Sequence, residues 1–100
     1  MNSRAKGAAG EREFIARHLV DRWPDACRNY YQGGASKADA ANVGNVHWQI
    51  KRREKIEIWA AIKQAETEAK PGDLAVVAFR RSRSRWYCIV GADEFVALLP

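Results

Sequence analysis

Asp39, Gln49 and Lys51 have the residue types and spacing that chemistry would need. Gln49 and Lys51 stand in a run that alternates apolar and polar residues, with Val46, Trp48 and Ile50 set against His47, Gln49 and Lys51. Strand side chains point alternately to opposite faces, so Gln49 and Lys51 project from the same one. A turn at Asn42-Val43-Gly44-Asn45 folds residues 38–53 into a hairpin and brings Asp39 beside both. A carboxylate, a second oxygen donor and a lysine grouped in this way suit Mg²⁺-dependent hydrolysis of a phosphodiester. Hard oxygens hold the ion, and the ammonium lies beside the attacking water or the phosphate.

The rest of the chain supplies the elements that position them. Residues 1–6 are polar and basic and read as a loose arm. Residues 8–23 have helical spacing, with Ile15, Leu19 and Trp23 on one stripe widened by Phe14 and Val20, and Pro24-Asp25 stops it. Residues 27–32 read as a short strand and 33–37 as a small-residue loop. Helical spacing returns over 54–70, where Ile56, Trp59, Ala60 and Ile62 form the apolar face, and Pro71-Gly72 ends it. Residues 74–79 are an apolar strand suited to burial on both faces, 80–85 a basic turn, 86–90 a further strand, and 95–99 a terminal helix or tail. The order α-β-β-β-α-β-β-(α) predicts one α/β (α+β) domain with a single sheet and helices packed on it.

Composition narrows the function classes. Lys and Arg number 17 against 12 Asp and Glu, a net charge of +5 on 100 residues, which favours a polyanionic partner such as nucleic acid. Four arginines, Arg80, Arg81, Arg83 and Arg85, fall within one turn and repel each other, so an anion is expected to compensate them. The longest uncharged apolar run is the six residues 74–79, against the roughly 20 that a membrane span needs. The start MNSRAKGAAG has no apolar core for a secretory signal, so the expected setting is the cytoplasm. Two cysteines, Cys27 and Cys88, and two histidines cannot assemble a zinc cluster at this spacing, and both cysteines are expected in the core.

Asp39 followed by Gln49-Ile50-Lys51 resembles the acidic residue and E-x-K strand of the PD-(D/E)XK nuclease superfamily. The flanks sharpen the likeness. Lys6-Gly7-Ala8-Ala9-Gly10-Glu11-Arg12 is similar to the K-G-x-x-x-E-R opening of archaeal-type Holliday junction resolvases and their phage relatives. Gly33 to Ser36 resembles their serine-containing loop, Gln64-Ala65 a Q-A pair on the second helix, and Val77-Ala78-Phe79-Arg80-Arg81 with Trp86 a phage-type stretch. The resemblance covers nearly the whole chain, residues 1–100, as one nuclease domain with a restriction-endonuclease-like mixed sheet flanked by helices. It implies an endodeoxyribonuclease acting on branched DNA in recombination, in a bacterial or phage-infected cell, as a two-fold dimer.

By that resemblance Glu11, Asp39 and Gln49 hold Mg²⁺, with Mn²⁺ as the alternative ion, and Lys51 stabilises charge on phosphorus while Gln64 supports it. Lys6, Arg12, Ser36, Lys37, Arg52, Arg53, Arg80, Arg81 and Arg83 are the expected DNA contacts. Gln49 departs from the family, because an amide oxygen can ligate Mg²⁺ but carries no charge and cannot act as a base. Gln49→Glu is therefore expected to tighten metal binding. Plainer readings stay open: Lys51 as one more solvated lysine in Lys51-Arg52-Arg53, Glu11 as a first-turn acid, His47 as a surface histidine. The alternative function is a catalytically weak or inactive nucleic-acid-binding module. One such form is the double-stranded-RNA-binding domain, whose α-β-β-β-α order this chain shares but extends by two strands.

Overall fold

The computed structural model describes residues 3–29 and 37–100. The end of the expected first strand and the expected loop up to Ser36 lie outside the described residues, as does the side chain of Lys6.

The first helix, α1 (Ser3–Phe14), runs on without a break into a π-helical turn, Ile15–Leu19. The expected loose arm is thus helical from Ser3 onward. The π turn is closed by the Val20 N–H on the Ile15 carbonyl at 3.1 Å, and it keeps Phe14, Ile15 and Leu19 together on the buried side. Helical geometry ends before Trp23, ahead of Pro24 as the residue types require.

Strands β1 (Cys27–Arg28) and β2 (Ala40–Ala41) pair antiparallel, Cys27 with Ala41 and Arg28 with Ala40. The expected hairpin of residues 38–53 is corrected here. The turn at 42–45 is present, with Asn42 and Gly44 at positive φ (63° and 62°), a backbone region open mainly to Asn and Gly. Its two arms do not form a ladder, because Val43 turns into the core and β2 pairs with β1 instead. Asp39 still reaches the next strand, its N–H bonding the Trp48 carbonyl at 2.9 Å.

Strand β3 (Val46–Arg52) pairs in parallel with β4 (Leu74–Arg80), and β5 (Tyr87–Ile89) adds antiparallel to β4. A parallel pair needs a crossover, and α2 (Ile58–Glu68) provides it. The three-stranded sheet is therefore mixed, in the order β3-β4-β5, while β1 and β2 form a separate two-stranded sheet. The expected single sheet is corrected accordingly, and the chain has a mixed α/β fold whose element order matches the sequence reading. The short helix α3 (Ala92–Leu98) follows β5 and buries none of its residues.

Alternation along β3 and β4 divides the interior in two. Ile50 and Ala78 join Phe14, Leu19, Val43 and Trp86 on the α1 side, while Val77 packs with Ala61 and Ala65 of α2 on the other. Phe14 anchors the first cluster, with ring centroids 5.1 Å from Trp48 and 5.0 Å from Trp86. A Cβ on Gly10 would overlap the Cβ of Arg52, so glycine sets how closely α1 lies on β3.

Three burial expectations are overturned. The inner face of α2 is Ala61 and Ala65, not Trp59 and Ala60, because small side chains let the helix sit close on Val77. Trp59 faces outward at 79% exposure. Both cysteines are exposed, Cys27 on a two-residue strand and Cys88 on β5. His47 is buried at 3% exposure, because the polar face of β3 that carries it lies under α2. Trp59 borders an apolar groove of about 370 Å³ shared with Ile62, Val77, Ile89 and Ala92. Among the described residues no helix is long and apolar enough to cross a membrane.

Candidate active site

A cavity of about 610 Å³ opens at the edge of β3, and Glu11, Asp39, Ile50 and Lys51 line it together with Arg52 and Arg53. Each of these comes from a different local cause. Glu11 rides on α1, held near the sheet by the close passage at Gly10, and is 9% exposed. Its Oε2 accepts a hydrogen bond from Arg28 Nε at 2.8 Å. Asp39 precedes β2 and is fastened at three points: its N–H to the Trp48 carbonyl, its carbonyl from the Asn29 N–H at 3.1 Å, and its Oδ2 from the Ile50 N–H at 2.7 Å.

Asp39 therefore caps two successive groups on one edge of β3. The N–H and C=O of a strand residue point to the same side, so the Ile50 carbonyl faces that edge as well. Burial pushes the Asp39 carboxyl up to about 6; the Ile50 N–H and Lys51 oppose the rise, and Glu11 and Glu68 add to it. A desolvated carboxyl with further carboxylates around it gains from a nearby cation.

The polar face of β3 meets α2. Lys51 Nζ donates to Gln64 Oε1 at 3.0 Å, which holds the ammonium at the cavity wall. Gln49 is 1% exposed and does not line the cavity. Its Nε2 donates to Glu68 Oε2 at 2.9 Å, meets His47 Nε2 at 2.8 Å, and approaches the Lys37 carbonyl at 3.5 Å. An amide nitrogen only donates, so His47 Nε2 is the acceptor and its proton sits on Nδ1. Burial lowers the His47 pKa, which agrees with a neutral ring.

The basic residues fall into two sets. Arg53 and Lys37 are exposed, as are Arg12, Arg81 and Arg83, and Arg83 sits at the tip of the β4–β5 turn with φ 64°. Arg80 and Arg52 are held internally. Arg80 Nε lies 2.9 Å from Glu13 Oε1, its Nη1 donates to the Ser84 carbonyl at 2.9 Å, and its guanidinium stands 5.9 Å from the Trp86 ring. Arg52 donates to Ser82 Oγ and pairs with Glu54.

Comparison with protein-family models, with curated proteins and with solved structures finds no match. The site must be judged on its own chemistry. Among the described residues no three Asp, Glu, His or Cys side chains form a group that would hold a metal ion by themselves. What the cavity offers is hard oxygen, from Glu11, Asp39 and the Ile50 carbonyl, next to a lysine and an arginine-lined wall. That set fits Mg²⁺ rather than a thiophilic metal.

Of the sequence-derived site residues, Glu11, Asp39 and Lys51 share the cavity, Gln64 touches Lys51, and Gln49 lies behind the wall. Sequence reasoning misses Arg28 and Glu68. Glu68 carries a usable signal, since it falls four residues after Gln64 and so on the same helix face. Arg28 carries none, because a two-residue strand has no period to read.

Proposed function

We propose that the chain is a Mg²⁺-dependent endonuclease of PD-(D/E)XK type acting on branched DNA, with a restriction-endonuclease-like sheet. The observation that carries the reading is the meeting of Glu11, Asp39, Ile50 and Lys51 on one cavity from three separated stretches of sequence. A merely solvated lysine would have no reason to share a cavity with a half-buried aspartate and a buried glutamate that lies well past the first turn of α1. Mg²⁺, when bound, supplies Lewis acidity that activates water and offsets charge on the phosphate. Glu11 and Asp39 hold it with the Ile50 carbonyl, Lys51 presents its ammonium to the scissile phosphate, and Gln64 keeps that ammonium in place. Arg53, Lys37 and the exposed arginines of the β4–β5 turn grip the backbone, which favours reading shape over sequence.

Cleavage of a four-way junction by the purified chain in Mg²⁺ or Mn²⁺ tests the proposal. Lys51→Met is expected to lower the rate by roughly 100-fold while leaving metal binding intact. A chain that binds the junction and never cuts it, with either ion, would instead be the inactive binding module. The pairing of Glu11 with Arg28 is the observation that favours that second reading.

DNA contact through the turn makes a separate prediction. Arg80 is occupied internally, so Arg81 and Arg83 are the pair to neutralise. Replacing both with Gln should reduce the slope of log affinity against log salt by about 0.9 for each phosphate that is no longer neutralised. An unchanged slope puts the DNA on another face.

A symmetric junction needs two cuts, so the same proposal includes a two-fold homodimer. The apolar groove beside Trp59 and the exposed Phe95, Val96, Leu98 and Leu99 are the surface for it. Sedimentation should give a dimer with DNA present, and a monomer there would remove the resolvase part while leaving the nuclease.

A further inference from the structure

Glu54 is out of place on a DNA-facing surface. It lines the cavity with half of its side chain exposed, in the run Lys51-Arg52-Arg53-Glu54-Lys55, where a carboxylate repels phosphate. Its contacts show another use. Ser82, in the β4–β5 turn, donates its N–H to Glu54 Oε2 at 3.0 Å and to Oε1 at 3.2 Å. The Ser82 hydroxyl donates to the same Oε1 and accepts from Arg52 Nη2 at 3.3 Å. Arg52 Nη1 lies 3.5 Å from Glu54 Oε1, so the three residues close a ring of polar contacts between the end of β3 and the turn.

The turn is also fixed on its other side and within itself. Arg80 and Trp86, which flank it, both meet Glu13 on α1. Inside it, the Ser84 N–H donates to the Arg81 carbonyl and the Arg81 N–H to Ser84 Oγ, each at 3.2 Å. Glu13 follows closely on Glu11, and Glu54 on Lys51, so the turn hangs from the same two segments that carry the cavity residues. Arg81 and Arg83 are left exposed on this fixed support, and no described carboxylate pairs with either.

We propose that Glu54 and Ser82 are positioning residues that set where the chain cuts. The clasp holds the turn at a fixed separation from Asp39 and Lys51, so phosphates gripped by Arg81 and Arg83 bring one particular phosphate to the cavity. An enzyme that reads shape has no base contacts to fix its register, and backbone grips at a rigid separation supply it. This rests on the nuclease reading above and adds two residues that it does not use.

Mapping of the cut positions on an end-labelled four-way junction, with thermal melting, tests this on the parent and four variants. Glu54→Gln and Glu54→Ala both lose the charge, so any repulsion of phosphate disappears from both alike. They differ in the clasp. The glutamine oxygen still accepts from Ser82, and its cuts should fall where the parent's do. Alanine accepts nothing, and its cuts should spread to neighbouring phosphates, the main product falling to about half its share or less. Ser82→Ala should spread the cuts likewise, and Ser82→Thr, which keeps the hydroxyl, should retain the parent pattern. A contact that serves stability alone would lower the melting temperature of the two alanine variants and leave the cut positions in place. Parent positions in Glu54→Ala and Ser82→Ala, or equal spreading in Glu54→Gln, overturn the role and leave the nuclease reading standing. A parent that binds the junction and never cuts it overturns that reading and, with no cut to place, this role with it.

Discussion

Asp39→Asn should give a domain that is more stable than the parent at pH 8 and has lost nearly all cleavage activity. The Asp39 carboxyl is raised from 3.8 to about 6 by burial, so ionising it in the folded state costs more than in the unfolded chain. A rise of that size corresponds to about 3 kcal/mol at most, and relaxation around the site makes about 1–3 kcal/mol the expected gain. Asparagine keeps an oxygen for the Ile50 N–H and carries no charge to desolvate.

The sign follows from proton counting. Between about pH 4 and 6 the folded parent holds a proton that the unfolded chain has released, so its stability falls as pH rises through that window and levels off above it. Asp39→Asn should lack this fall. Melts of both proteins should coincide near pH 4 and separate by pH 7, by roughly 4–8 °C per kcal/mol for a domain this size. Curves that stay parallel from pH 4 to 8 would mean that Asp39 is not desolvated as described. Junction cleavage by the parent should also fade below pH 6 as Asp39 takes up its proton, and in Asp39→Asn it should be lower by roughly 100-fold or more at every pH.

Glu13→Ala should be among the most damaging substitutions outside the apolar core. Glu13 Oε1 accepts from Trp86 Nε1 at 2.8 Å, lies 2.9 Å from Arg80 Nε, and is 3.7 Å from Arg17. Removing it strands a half-buried guanidinium and a buried indole N–H together. The expected cost is about 2–4 kcal/mol, read as a lower urea midpoint with an unchanged slope. Glu13→Gln keeps one acceptor and should lose about half as much. If Glu13→Ala unfolds at the parent's midpoint, the link between α1 and the β4–β5 turn contributes little. Metal binding by the folded fraction should be unaffected, since Glu13 does not line the cavity.

Periodicity carried a large part of this structure. The alternation from Val46 to Lys51 located β3 and both of its faces, and the apolar run at 74–79 located β4. What periodicity could not supply was partnership. The turn at 42–45 reads as a hairpin because its residue types favour a reversal, yet whether the two arms then pair depends on Val43, which the core takes up. The inner face of α2 differs from its expected one for a related reason. Hydrophobicity ranks Trp59 and Ile62 above alanine, whereas close packing on a sheet is limited by volume and selects Ala61 and Ala65. Of the residues that line the cavity, Asp39 and Lys51 were singled out by residue type and spacing, and Glu11 by the resemblance alone. The state of Gln49 was not legible, since it depends on a helix residue 19 positions away.

The outward turn of Trp59 also divides the four indoles by environment. Trp86 is closed into the α1 cluster and Trp23 and Trp48 pack against it, while Trp59 stands in solvent at 79% exposure beside the apolar groove. Fluorescence from the first three follows the integrity of the fold, and the red-shifted, quencher-accessible component belongs to Trp59. Covering the groove would shift and shield that component and leave the others unchanged. The chain thus contains an optical label for any partner that covers this groove, read without any added dye.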